Sequence, residues 1–205
     1  MDREALLDRL AARLHRRRGA PVPPVPRRRD LSVSPAADRD ALVRRFAERL
    51  ADLGGEAAVV ADRAEARAAV ERLLAERRLD SLACPAALRW PAVEARCGGE
   101  LAAAAFGLSE PRWAIAETGT VVLRHDGGAP RATSLLPPAV GFFLPASRIV
   151  ERLGDVLADV AAAGQDVPAC ITFMSGPSRS MDIGYEPCVG VHGPGETMVW
   201  ILADE

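Results

Sequence analysis

The strongest constraint on this chain is a rhythm that begins at residue 56: an apolar run EAAVVA (56–61), a charged amphipathic segment (63–78) and a second apolar run, SLACP (81–85). Runs this short suit strands buried on both faces, whereas the intervening segment has helical periodicity. Two strands joined by a helix point to a parallel sheet with helices on its faces, because the crossover carries the chain back over the sheet. Asp62 stands where its side chain caps that helix. Further strands are expected within WAIAETGTVVLR (113–124), broken at Glu117-Thr118-Gly119-Thr120, and in VGFFLP (140–145) and ACITFM (169–174). Between the last two, Ile149, Val150, Leu153, Val156, Leu157 and Val160 form an apolar helical stripe with Ser147 as its expected cap. ELAAAAF (100–106) fits strand or helix, and the tail from Pro187 predicts two strands joined through His192-Gly193-Pro194-Gly195. The fold class expected is α/β, with a mostly parallel sheet and helices on its faces.

Upstream, Leu6, Leu7, Leu10 and Leu14 give residues 2 to 18 an amphipathic helical pattern. Prolines at 21, 23, 24 and 26 then impose an extended connector. A second helix is expected from Pro35 to about Leu53, ended by Gly54-Gly55. This divides the chain into N-terminal helices with a Pro-rich connector (1–54) and an α/β domain (55–205).

All 26 basic residues are arginine. That removes the lysine needed for a Walker A loop, a pyridoxal Schiff base or a lysine general base. Arginine is left as the permanent cation for gripping carboxylate or phosphate. The formal charge of −2 exerts no global pull on nucleic acid. The triplets Arg16–Arg18 and Arg27–Arg29 lack the interleaved aromatics of a base-stacking surface, so no nucleic-acid partner is expected. No run reaches the roughly 18 apolar residues of a membrane span, and the charged N-terminus lacks the apolar stretch of a signal peptide, so a cytoplasmic location is expected. Cys84, Cys97, Cys170 and Cys188 are scattered without C-x-x-C spacing, which predicts reduced thiols and neither a metal site nor a cofactor held by this chain alone.

Three places carry candidate chemistry. In ITFMSGPSRSMDI (171–183), Gly176 permits close backbone approach, Pro177 suits a first helical position, Ser178 and Ser180 offer hydroxyls and Arg179 offers a guanidinium fork. At a strand-to-helix turn this would cradle a small carboxylate or phosphate on free backbone N–H groups. The plainer reading is that Ser175 or Ser178 caps a helix and Arg179 pairs with Asp182. Glu117, between apolar strands, can serve as base, nucleophile or polar anchor, or as a solvated turn residue. His192 in GVHGPGE fits a general acid/base role, a metal ligand or an ordinary loop histidine.

AIAETGTVVL, SLLPP and SGPSRSMDIGYEPCVGVHGPGE, in this order and spacing, resemble the signature blocks of the lactate utilisation protein C family, the LUD-domain proteins. The resemblance covers about residues 55 to 205. It implies a three-layer α/β/α fold like the NagB/RpiA/CoA-transferase group, preceded by an N-terminal helical extension. It also implies an accessory role in oxidising L-lactate to pyruvate beside partner proteins that carry the iron–sulfur clusters. The family's motifs fall on Glu117, Thr118, Gly119 and Thr120, on Ser175, Gly176, Pro177, Ser178, Arg179 and Asp182, and on Gly190, His192, Gly193 and Pro194. From these, Glu117 and His192 are the candidate catalytic residues, and Thr118, Gly119, Thr120, Ser175, Gly176, Ser178, Arg179, Asp182 and Gly193 the candidate ligand-binding residues. An acyl- or CoA-transferase using Glu117 is the alternative that the fold analogy suggests. One departure is that LLPP continues as AVGFF, where the family usually places a histidine.

Overall fold

The strand–helix–strand order expected at residue 56 forms, with β1 (Glu56–Val60) leading through α3 (Arg63–Glu76) to β2 (Leu82–Ala83), but the two strands lie at opposite edges of one parallel sheet and do not pair with each other. The computed structural model describes residues 2–13, 15, 38–125, 131–164, 166–181 and 187–205. Contacts divide the chain into two units, Met1–Leu31 and Ser32–Glu205. The smaller contains α1 (Arg3–Arg13), an amphipathic helix with no buried residue and with Leu6 and Leu10 exposed. All other elements belong to the larger unit, including α2 (Arg39–Asp52), which Asp38 caps by accepting from the Asp40 amide.

Five parallel strands make the central sheet, in the order β1, β11 (Glu196–Leu202), β6 (Ala139–Pro145), β3 (Phe106–Ser109), β2. Side chains alternate across it. Phe143, Trp200 and Phe106 point to the face packed by Val70 and Leu74 of α3 and by Val93 of α4 (Pro91–Glu94). Val140, Phe142, Leu144, Val199 and Ile201 point to the opposite face, against Leu42, Phe46 and Leu50 of α2. Gly141 is required between the aromatics, since a Cβ there would lie 2.8 Å from the Phe106 ring. A mostly parallel sheet flanked by helices is therefore the fold.

A second, four-stranded sheet lies in the larger unit, ordered β7 (Ile149–Val150), β4 (Trp113–Ile115), β5 (Thr120–His125), β8 (Cys170–Met174). Its Val121, Leu123 and Met174 join the same core as α2. α5 (Leu153–Ala162) packs Val156 against Trp113, Ile115 and Val122, and the Trp113 indole N–H donates to Asp159 at 2.9 Å.

Two local expectations are corrected. Ser147 does not cap the α5 stripe: the β-branched pair Ile149-Val150 extends the second sheet beside Ala114 and Ile115, and the helix starts at Leu153 with Asp155 accepting from the Arg152 amide. More consequentially, the chain beyond Met174 does not turn into a helix at the Ser/Gly/Arg corner. Arg179–Met181 form β9, paired antiparallel with β10 (Pro187–Val189), so Arg179 stands opposite Val189. Asp182 lies outside the described residues.

Candidate hydroxyl-floored groove

β4 and β5 form a hairpin whose turn is Ala116-Glu117-Thr118-Gly119. The Ala116 and Glu117 amides donate to the Val150 and Glu151 carbonyls, which continues the β4–β7 pairing into the turn. Gly119 has φ of +61°, and its missing side chain lets the turn rest on the backbone of Arg49 and Leu50 in α2. Thr118 and Thr120 therefore sit close enough for their hydroxyls to hydrogen-bond at 2.7 Å. Thr120 in turn bonds the Ser175 hydroxyl at 2.7 Å, across the β5–β8 pairing that places Val121 opposite Met174. The result is a three-hydroxyl chain, buried at Thr120 and exposed at Thr118 and Ser175.

These hydroxyls floor a groove of about 370 Å³ whose walls are Ile115, Leu153, Leu157 and Phe173. Leu153, Leu157 and Phe173 are 44%, 45% and 42% exposed, unusual for such side chains grouped beside one cavity. No charged side chain lines the groove among the described residues. Hydroxyls both donate and accept, so this floor can meet a carboxylate, a carbonyl or a hydroxyl by rotating its hydrogens. The leucines were legible only as part of a helical stripe. Their Leu153/Leu157 spacing of four gave no sign that one edge of that stripe stays open.

Arg179 does not line this groove. It donates to the Leu53 carbonyl, which caps the C-terminal end of α2. That end carries partial negative charge and unsatisfied carbonyls, so an arginine suits it. Gly54, with φ of +81°, makes room: a Cβ there would fall 2.6 Å from the guanidinium. Gly176, φ +75°, likewise abuts Leu53. The corner expected to cradle an anion thus uses its glycine and arginine to clamp α2.

The remaining candidates form a neighbouring loop cluster. The Ser178 amide donates to the Pro194 carbonyl at 2.8 Å, the Gly190 amide donates to the Ser178 carbonyl at 2.9 Å, and the position a Cβ would take at Gly193 lies 3.4 Å from Ser178. The Ser178 amide, a donor that a helix N-terminus would have left free, is therefore engaged. His192 and Glu117 are exposed, and neither lines the groove. Thr118, Gly119, Thr120, Ser175 and Gly176 are brought together, whereas Ser178 and Gly193 belong to the second cluster.

The fold and groove define a parallel α/β domain with an apolar-walled, hydroxyl-floored recess on an accessory sheet. The model of the LUD domain matches residues 80–202, and the chain belongs to that family. It is 42% identical over 106 residues to Lactate utilization protein C 1 of Bacillus mycoides, a match spanning 50% of this chain and 45% of that protein. It is also 42% identical over 92 residues to Lactate utilization protein C of Halalkalibacterium halodurans, covering 43% of this chain and 40% of that protein. The matches thus span less than half the length of these two relatives. An Escherichia coli protein, Uncharacterized protein YkgG, is 36% identical over 124 residues, which is 59% of this chain and 54% of that protein. The crystal structure of a DUF162 family protein from Deinococcus radiodurans superposes with a TM-score of 0.63 at 23% identity, covering 82% of this chain and all of that one, which supports the fold.

Proposed function

We propose that this chain serves in bacterial lactate utilisation, as a cytoplasmic component without a redox centre of its own. In this reading it works beside iron–sulfur proteins that oxidise L-lactate to pyruvate, and its groove binds a small carboxylate. Family membership supports the pathway, and the residues matched by the family, 80–202, contain the whole groove. The observation that carries the site is the 2.7 Å chain from Thr118 through Thr120 to Ser175 beneath apolar walls. A carboxylate accepts from the hydroxyls while its carbon body lies against Leu153, Leu157 and Phe173. Lacking a cation in the lining, such a site holds its guest with neutral donors, which are weaker than charge-assisted ones.

Placing the clusters on partners agrees with how this chain distributes its sulfur. Cys84 and Cys97 are buried in the core beneath α3 and α4, Cys170 lies on β8 and Cys188 is exposed on β10. Cluster ligation draws several thiolates together, and these four are dispersed over three parts of the fold.

The test is L-lactate-dependent pyruvate formation in extract from a bacterium lacking its lactate utilization protein C. Adding this chain restores pyruvate formation, and the double variant Thr120→Val/Ser175→Ala restores it at least tenfold less well. Failure of the folded parent chain to restore it contradicts the proposed role. Equal restoration by the double variant removes the groove from it.

A further inference from the structure

A separate cleft of about 440 Å³ opens along β2, bordering the core shared with α3 and α4 and independent of the hydroxyl groove. We propose that this cleft is a second ligand site and takes a small organic polycarboxylate, whose acidic groups engage the guanidinium groups of Arg89 and Arg96. Its lining follows the edge strand β2 from Ser81 through Leu82 and Ala83 to Cys84-Pro85-Ala86.

The walls are fixed before any guest arrives. The Leu82 amide donates to the Arg96 carbonyl at 2.9 Å, tying the segment after α4 to the edge of the sheet. Arg89 Nε donates to the Cys84 carbonyl at 3.3 Å, and Arg96 donates to the Ala92 carbonyl at 3.0 Å. Arg89 also faces Glu94 at 3.4 Å, a partly exposed pair of little strength. Each guanidinium carries five N–H donors, so these contacts leave donors for a guest. The rim is open at Gly98 and Gly99, where a Cβ would meet nothing within 4 Å.

Charge decides the class of guest. Cys84 and Cys97 both lie in the lining, and the Cys84 thiol donates to the Pro85 carbonyl at 3.5 Å. Burial pushes the Cys84 thiol up to about 12 and raises Cys97 as well, outweighing the opposing pull of the Arg89 charge on both. Neutral thiols do not compete with an anion for the arginines. The charged groups in the lining are then Arg89 and Arg96 against the Glu100 carboxylate, with the partly exposed Glu94 outside the lining offsetting Arg89 only weakly. One carboxylate suffices to engage one guanidinium, and a polycarboxylate can engage both while its carbon body occupies the wider space beside Leu101.

Calorimetric titration with citrate, compared with acetate at equal ionic strength, tests this. Citrate is expected to bind at one site at least tenfold more tightly than acetate. Arg89→Gln and Arg96→Gln each weaken citrate at least tenfold, whereas Arg44→Gln on the exposed side of α2 leaves it unchanged. Citrate no tighter than acetate, or binding indifferent to both arginines, overturns the proposal.

Discussion

Thr120 is the residue on which the groove turns, because its buried hydroxyl bonds both Thr118 and Ser175. Thr120→Val keeps the shape and removes that junction. The two stranded hydroxyls are exposed and can turn to water, so the cost is about 1 kcal/mol by denaturant unfolding, well short of the cost of a buried unsatisfied group. Cys84 gives a second residue-scale expectation. Its folded pKa, about 12, lies above its ordinary value of 9.0, so the buried thiol's contribution is complete below pH 9 and is lost as pH rises toward 12. The chain has no lysine and one tyrosine, which leaves its four thiols to dominate that alkaline range. Melting temperature is therefore expected to fall between pH 9 and 11, with a shallower slope in Cys84→Ala. Thr118, Thr120 and Ser175 were all legible as polar residues at breaks in apolar runs. Their contact was not, because it depends on β5 and β8 pairing across a separation of 55 residues from Thr120 to Ser175.

Among the elements, α2 receives more from the candidate motifs than any ligand does. Arg179 donates to the carbonyl of its C-cap residue, Leu53, and Gly119 and Gly176 let two loops rest on its C-terminal end. Arg179→Ala is expected to cost about 0.5 to 1 kcal/mol by denaturant unfolding, the range of a helix-end charge and cap. It leaves carboxylate binding in the groove unchanged. Gly119→Ala costs more than that, since a methyl group at φ of +61° would be pressed into the backbone of Leu50. The parallel sheet was readable from short apolar runs with a capped helix between them, but the placing of β1 and β2 at its two edges was not, since the strands that separate them come later in the chain. The corner was misread because Ser-Gly-Pro-Ser is equally good local chemistry for a helix cap and for a turn between strands. The pairing of Arg179 with Val189, which decides between them, is not encoded in either segment alone. The accessory sheet escaped for a similar reason: β4 and β7 span only three and two residues, too short for alternation to mark a separate layer.

At the scale of the larger unit, the chain's last residues are tied to its helices by charge. Arg63, at the start of α3, bonds both Glu205 and Glu110, and Glu110 also meets Arg148. The Arg63 hydrogen bond holds the Glu205 carboxyl below the usual range, which outweighs the opposing effect of burial. A lowered folded pKa contributes stability above the ordinary carboxylate range and loses it as pH falls through the folded value. Glu205→Gln should therefore flatten the fall of melting temperature between pH 7 and 3, by a modest amount because the pair is partly exposed. This network shares no residue with the groove, which depends on α5, β4, β5 and β8 holding their places. The most direct measurement of the central claim is amide chemical-shift mapping by NMR as pyruvate is titrated into the folded protein. The account predicts shifts concentrated at Thr118, Gly119, Thr120, Ser175 and Gly176, retained in Arg179→Ala and abolished in Thr120→Val/Ser175→Ala. Shifts absent from these five amides at saturating pyruvate would contradict it.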